Sequence, residues 1–158
     1  MIKWFKNLFA KPQRQETSEV LPVWYALAVK EIGVKEIPGS KHNARILEYH
    51  SAVSMKATAD EVSWCSAFVN WCLKRGNVRG TNLANARSFL SWGKKVTDPK
   101  KGDICVFWRG AQDSWQGHVG FYAGETKSAI IVLGGNQGNE VCYKKYPKSQ
   151  LLEFRRLA

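Results

Sequence analysis

The stretch after Pro99 constrains the fold most: five short apolar runs, each bounded by Gly, Asp or Lys, follow one another with almost nothing between them. They are "DICVFW" (103–108), "GHVGFYAG" (117–124), "AIIVLGG" (129–135), "EVCYKKY" (140–146) and "LLEFRRL" (151–157). Their spacing leaves no room for crossover helices, so these strands must pair antiparallel. The half before Pro99 has helical texture instead. "LPVWYALAVKEIGV" from about residue 20 puts Trp24, Ala28 and Ile32 on one stripe, with Pro22 tolerated in the first turn. "NARILEYH" (43–50), the segment after Ser63 that ends at Gly76, and "NARSFLSWG" (85–93) read as three further helices. Helices first and an antiparallel sheet of about five strands after them predict the α+β class. With 158 residues, 44% of them apolar, one domain can bury a real core.

The first ten residues, "MIKWFKNLFA", carry Met1, Ile2, Trp4, Phe5, Leu8 and Phe9 at helical spacing, with Lys3, Lys6 and Asn7 opposite. A polar stretch with Pro12 follows, so residues 1–19 read as a basic amphipathic segment with a linker, and 20–158 as the folded domain. Ten helical residues reach only about 15 Å, half of a hydrocarbon core, so this segment cannot span a bilayer. It could instead lie on an anionic membrane, touch a virion component or another protein, or dock on the domain. No run of eighteen apolar residues and no tripartite leader is present, which predicts a protein made in the cytoplasm without a cleavable signal peptide. The balance of 24 Lys and Arg against 13 Asp and Glu, +11 overall, calls for an anionic partner without choosing among nucleic acid, membrane and cell-wall polymer.

Four cysteines, Cys65, Cys72, Cys105 and Cys142, form no C-x-x-C pair. On a helix, Cys65 and Cys72 lie about 10 Å apart, too far for a disulfide, so all four read as thiols. Three histidines offer no zinc spacing, and no cofactor or metal is expected. Cys65 differs from the other three because it opens a helix if Ser63 is the N-cap. Free amides there lower a thiol pKa and can stabilise an oxyanion. A thiol nucleophile needs a base, and His118 is the best placed of the histidines, on a strand face shared with Gly120 and Tyr122 while Val119, Phe121 and Ala123 face the core. If "TKS" (126–128) is the hairpin turn, His118 faces Asn136, near enough for an amide oxygen to hold the ring. A one-residue slip would break that pairing.

With these residues in view, "WCSAFVNWCL", "KGDICVF", "GHVGFY" and "GGNQGNEV" together resemble the successive motifs of CHAP domains, the cysteine, histidine-dependent amidohydrolases and peptidases. The likeness runs from about residue 22 to the end and is to the small phage and bacterial cell-wall hydrolases of that group. It implies a papain-like fold cleaving an amide of peptidoglycan, as an endopeptidase or an N-acetylmuramoyl-L-alanine amidase, with Cys65 as nucleophile, His118 as base and a polar residue of the next strand as third member. Many CHAP domains carry a glutamate where this chain has Gly134. Asn136 is then left to orient His118, with Gln137 and Glu61 as the alternatives, Glu61 reading more readily as a solvated residue.

Among the aromatics, Trp92 and Trp108 read as core. Trp115, in the polar loop before His118, is expected to line the substrate groove together with Gln137, and Trp64 beside the nucleophile could do this or fill the core. Asp103 reads as closing a turn. The leading expectation is a monomeric phage-type lysin acting at the bacterial wall. A non-enzymatic basic module for nucleic acid or membrane, and a papain-like protease acting on proteins, are the competing readings.

Overall fold

The computed structural model describes residues 18–55, 57 and 63–158. The amphipathic segment 1–10, nearly all of the linker and Glu61 therefore lie outside the described residues. Three α-helices come first: α1 (Val23–Lys30), α2 (Ala44–His50) and α3 (Cys65–Arg75). Each boundary has a local cause. Pro22 stands immediately before α1, the Asn43 side chain accepts from the Arg45 N–H at 2.9 Å to cap α2, and Gly76 closes α3. The fourth expected helix is a 3-10 helix, Ala86–Ser91, whose bonds run from Ser88 N–H to Asn85 O and from Trp92 N–H to Phe89 O.

Six antiparallel strands make one sheet: β1 (Lys94–Val96), β2 (Ile104–Trp108), β3 (Gly117–Glu125), β4 (Ala129–Gly134), β5 (Cys142–Pro147) and β6 (Leu151–Arg156), in the order β1-β6-β2-β3-β4-β5. The strand the sequence does not announce is β1, only "KKV", too short to show a period of two. It forms against the outer edge of β6, where Arg155 donates to the carbonyls of Trp92 and Gly93. On one face of the sheet Ile104, Val106, Val119, Phe121 and Leu133 pack against Ala28, Tyr49, Trp64, Phe68 and Leu73 of the helical layer. The opposite face carries a smaller cluster of Cys105, Phe107, Tyr122, Ile130, Val132 and Tyr146. Asp103 closes its turn by accepting from the Lys100 N–H at 2.7 Å, and it also holds the Arg156 guanidinium.

The β3–β4 register positions the site. Phe121 faces Leu133 and Tyr122 faces Val132, as the assumed turn requires, but a bulge then shifts the ladder so that Gly124 faces Ile131. Toward the site the pairing with β4 reaches no further than Phe121, and β4 itself ends at Gly134. The chain then turns through Asn136, whose φ of 55° is left-handed, and Gln137 bonds back to the Glu140 carbonyl.

Candidate functional site

Cys65 is the first residue of α3, with Trp64 as N-cap. The helix thus begins one residue later than a Ser63 cap would make it, because the Ser63 hydroxyl is engaged elsewhere: it faces the Cys65 sulfur and accepts from Asn136 Nδ2 at 3.5 Å. The sulfur also receives the N–H groups of Val119 and Ser66. Val119 can donate there because β4 does not reach it. The Cys65 N–H, in the first turn of the helix, has no intrahelical acceptor and remains for an incoming oxygen.

His118 is 1% exposed, and its ring stacks on Tyr146 at 4.8 Å between centroids. Its Nε2 bonds to Gln137 Oε1 at 2.9 Å. The Gln137 amide cannot be turned over, since its Nε2 already donates to the carbonyls of Val132 at 3.2 Å and Cys142 at 2.7 Å. Gln137 therefore presents an acceptor, His118 Nε2 must carry the proton, and Nδ1 is left as the basic atom. Cys142 completes the support by donating its thiol to the Gln137 carbonyl at 3.2 Å.

The expectation that Asn136 holds His118 is thereby corrected. The left-handed turn at Asn136 ends the strand and carries its side chain to Ser63, while the next residue, Gln137, swings under the imidazole. Gln137 is 2% exposed, so it faces the histidine and not a substrate groove. Gly134 explains how a longer amide fits. A Cβ at that position would lie 2.6 Å from Gln137 Oε1, so a glutamate there and Gln137 in this pose exclude each other. Trp64 is also corrected: it is fully buried, stacks on Tyr49 at 5.7 Å and donates to Glu36 at 2.9 Å. Trp115 is 78% exposed and stands on the rim of a cleft of about 380 Å³, beside Met55, Ser63, Cys65, Ala84, Ala86 and Gly117.

Burial pushes the Cys65 thiol above its ordinary value, against the opposing pull of the Val119 N–H, the Arg109 charge, the Ser66 N–H and the Ser63 hydroxyl. The ionising influence expected of the helix N-terminus is outweighed by desolvation. Burial likewise pushes His118 down to about 3; the Gln137 bond opposes this, and the Arg109 and Lys144 charges add to it. These directions favour the neutral thiol and the neutral imidazole at neutral pH, the forms from which a thiol proton would pass to a general base.

This neutrality has a consequence for stability. Between about pH 6.5 and pH 3 the unfolded chain binds a proton at this histidine and the folded chain does not, so stability rises with pH in that window. The stabilisation is fully present above the unfolded value and is lost as the pH falls toward 3, at about 1.4 kcal/mol per unit. Urea midpoints at pH 7 and pH 4.5 should show wild type losing about 2–3 kcal/mol more than His118→Gln. Equal losses would contradict a histidine buried neutral.

Among the described residues no group of three or more His, Cys, Asp and Glu could hold a metal, and no helix is long and apolar enough to cross a membrane. A family model for the CHAP domain matches residues 57–136, just over half of the chain and the span that contains Cys65 and His118. The chain belongs to the CHAP family. No curated protein matched this CHAP chain. Solved structures of NlpC/P60 proteins share its fold. The P60 domain of an antigen from M. avium paratuberculosis superposes with a TM-score of 0.51 at 14% identity, over 86% of this chain and 91% of that one. An NLP/P60 family protein from Staphylococcus aureus, described as similar to a lipoprotein, gives 0.54 at 15% identity over 90% of this chain, which spans only 45% of that protein. RipD from Mycobacterium tuberculosis gives 0.53 at 15% identity, with 86% and 95% covered; it is described as a non-catalytic NlpC/p60 protein adapted to peptidoglycan binding. At such identities these likenesses establish the CHAP chain's fold, and its chemistry has to be argued from its own residues.

Proposed function

We propose that this CHAP domain hydrolyses an amide bond of peptidoglycan by thiol catalysis. The observation that carries this reading is the Cys65 sulfur at a helix N-terminus, bonded to the N–H of Val119, next in sequence to a histidine whose tautomer is fixed by Gln137. In this mechanism Cys65 Sγ attacks the scissile carbonyl and His118 Nδ1 takes the thiol proton. The oxyanion is met by the Cys65 N–H, and His118 returns its proton to the departing amine. Water then releases the acyl group from sulfur, with His118 as its base. Gln137 holds the ring throughout.

RipD shows that this architecture also serves as a binding module, so the fold alone does not argue for turnover. The thiol and the oriented imidazole do. The excess of 24 basic over 13 acidic residues suits a wall rich in carboxylates and phosphates. In the same reading the protein is a lysin acting at the bacterial wall as a monomer. Residues 20–158 then form the catalytic unit, and residues 1–11 attach it to an anionic membrane or a virion component.

The test is chemical. Digestion of purified peptidoglycan should release new primary amines in step with solubilised fragments and no new reducing sugar ends. New reducing ends, or casein cleaved as readily as wall, would point to another activity. Trp115 supplies a second expected outcome. As an exposed ring on the cleft rim it contributes to substrate binding alone, so Trp115→Ala should raise KM about tenfold and leave kcat nearly unchanged. A fall in kcat without a change in KM would remove Trp115 from the groove.

A further inference from the structure

We propose that Arg109 recognises a free carboxylate of the substrate close to the scissile amide; this rests on the reading of the protein as a peptidoglycan hydrolase. Arg109 follows β2 as the first residue of the loop that leads to His118, and its backbone is fixed. Its N–H donates to Gln116 O at 3.2 Å, and its carbonyl accepts from Ala111 N–H at 2.8 Å and Ser114 Oγ at 2.9 Å. A second arginine, Arg87, clamps the same loop through the carbonyls of Ala111, Gln112 and Gln116. The loop is thus held in shape without using the Arg109 guanidinium.

Among the described residues that guanidinium has no carboxylate partner. Arg45, Arg155 and Arg156 are each paired with a carboxylate, whereas among the described residues none pairs with Arg109. Its side-chain contact is instead with His118, Nη2 to Nδ1 at 3.4 Å, a long approach. Beside it lies the buried hydroxyl of Tyr146, which the guanidinium faces. An exposed guanidinium on the reactive histidine, with no carboxylate partner among the described residues, is satisfied by one bidentate anion. Nothing that bulky is needed for the thiol chemistry itself, and the position, at the basic atom of the site, calls for an anion carried by the substrate.

Binding of that carboxylate also draws the guanidinium off Nδ1 and frees the lone pair for the thiol proton. A substrate with its carboxylate in place thereby activates the base, and one without it leaves the base covered.

The experiment measures binding in the full chain carrying Cys65→Ala, so that nothing is consumed. The probes are a disaccharide muropeptide with free stem-peptide carboxylates and the same compound with those carboxylates converted to amides. Amidation should weaken binding about ten- to a hundredfold, the loss expected for a charge-assisted bidentate contact. Adding Arg109→Gln should abolish that difference, with Arg109→Lys intermediate. Equal discrimination with and without Arg109→Gln would overturn the proposal. Hydrolysis by proteins that keep Cys65 gives the second readout. If Arg109→Gln lowers kcat/KM to the same extent on acid and amide, Arg109 tunes the Cys65–His118 pair only and the proposal fails. Should wild type cleave neither compound while Arg109-dependent selectivity persists in binding, the hydrolase reading falls and the carboxylate site stands.

Discussion

Replacing Gln137 with alanine lowers kcat/KM about 10²–10³-fold while the fold and substrate binding persist, because the substitution removes the group that fixes the tautomer and orientation of the general base. The effect should fall on kcat. Gln137→Glu separates orientation from packing. A carboxylate still accepts from His118 Nε2, and its charge raises the His118 pKa from about 3, so the acid limb of the pH profile moves upward and part of the rate returns. The rescue is incomplete because the carbonyls of Val132 and Cys142 lose their donor. Asn136→Gly keeps the left-handed backbone and removes only the amide, so it should leave the pH profile where it was. If instead Asn136→Gly moved the profile and Gln137→Ala did not, the assignment of the orienting residue would be reversed. Gly134→Glu is an internal control, since the new side chain enters the volume of Gln137 and should mimic its loss.

The second large effect is at the sulfur. Cys65→Ala should remove at least about 10⁴-fold of the rate, since without the thiol no acyl-enzyme forms and the imidazole has no nucleophile to activate. Stability should change little: alanine deletes one buried sulfur from the start of a helix whose packing rests on Phe68, Val69, Cys72 and Leu73. Cys65→Ser should be nearly as inactive, because a hydroxyl beside a histidine held down to about 3 lacks a base strong enough to take its proton.

Much of this architecture was legible in the chain, and the parts that were not share a cause. Asn43 before α2, Gly76 after α3 and the alternation of "GHVGFY" are local signals, and the elements lie where those signals put them. The strand β1 and the 3-10 helix at Ala86–Ser91 depend on partners far away in sequence, Arg155 and Arg156 of β6 and the loop clamped by Arg87. No window of sequence contains those partners. Trp64 illustrates the same limit: its neighbour Cys65 suggested a groove, but Tyr49, Glu36 and the close approach of Gly135 claim its ring for the core.

The candidate site was readable to within one residue. Cys65 and His118 stand out by chemistry, and the hairpin register extrapolated from the turn holds at Phe121 and Tyr122. Extrapolation fails beyond Gly134, where "GGNQGN" leaves the strand. A run of Gly and Asn is itself a sign that left-handed turns follow, and it is the signal that could have favoured Gln137 over Asn136. Desolvation is the influence that a stretch of sequence does not show. It reverses the expected ionisation of Cys65 because the tertiary burial of a group is not written in its neighbours.

The central claim is that Cys65 makes this domain a hydrolase and not a wall-binding module. It is tested most directly by digesting purified peptidoglycan with wild type, Cys65→Ala and Gln137→Ala, and identifying the soluble fragments by mass spectrometry. The account predicts fragments ending at a single kind of amide bond with wild type, the same fragments at a rate reduced about 10²–10³-fold with Gln137→Ala, and none with Cys65→Ala. Release by Cys65→Ala equal to wild type, or binding to the wall without release by any of the three, would contradict it.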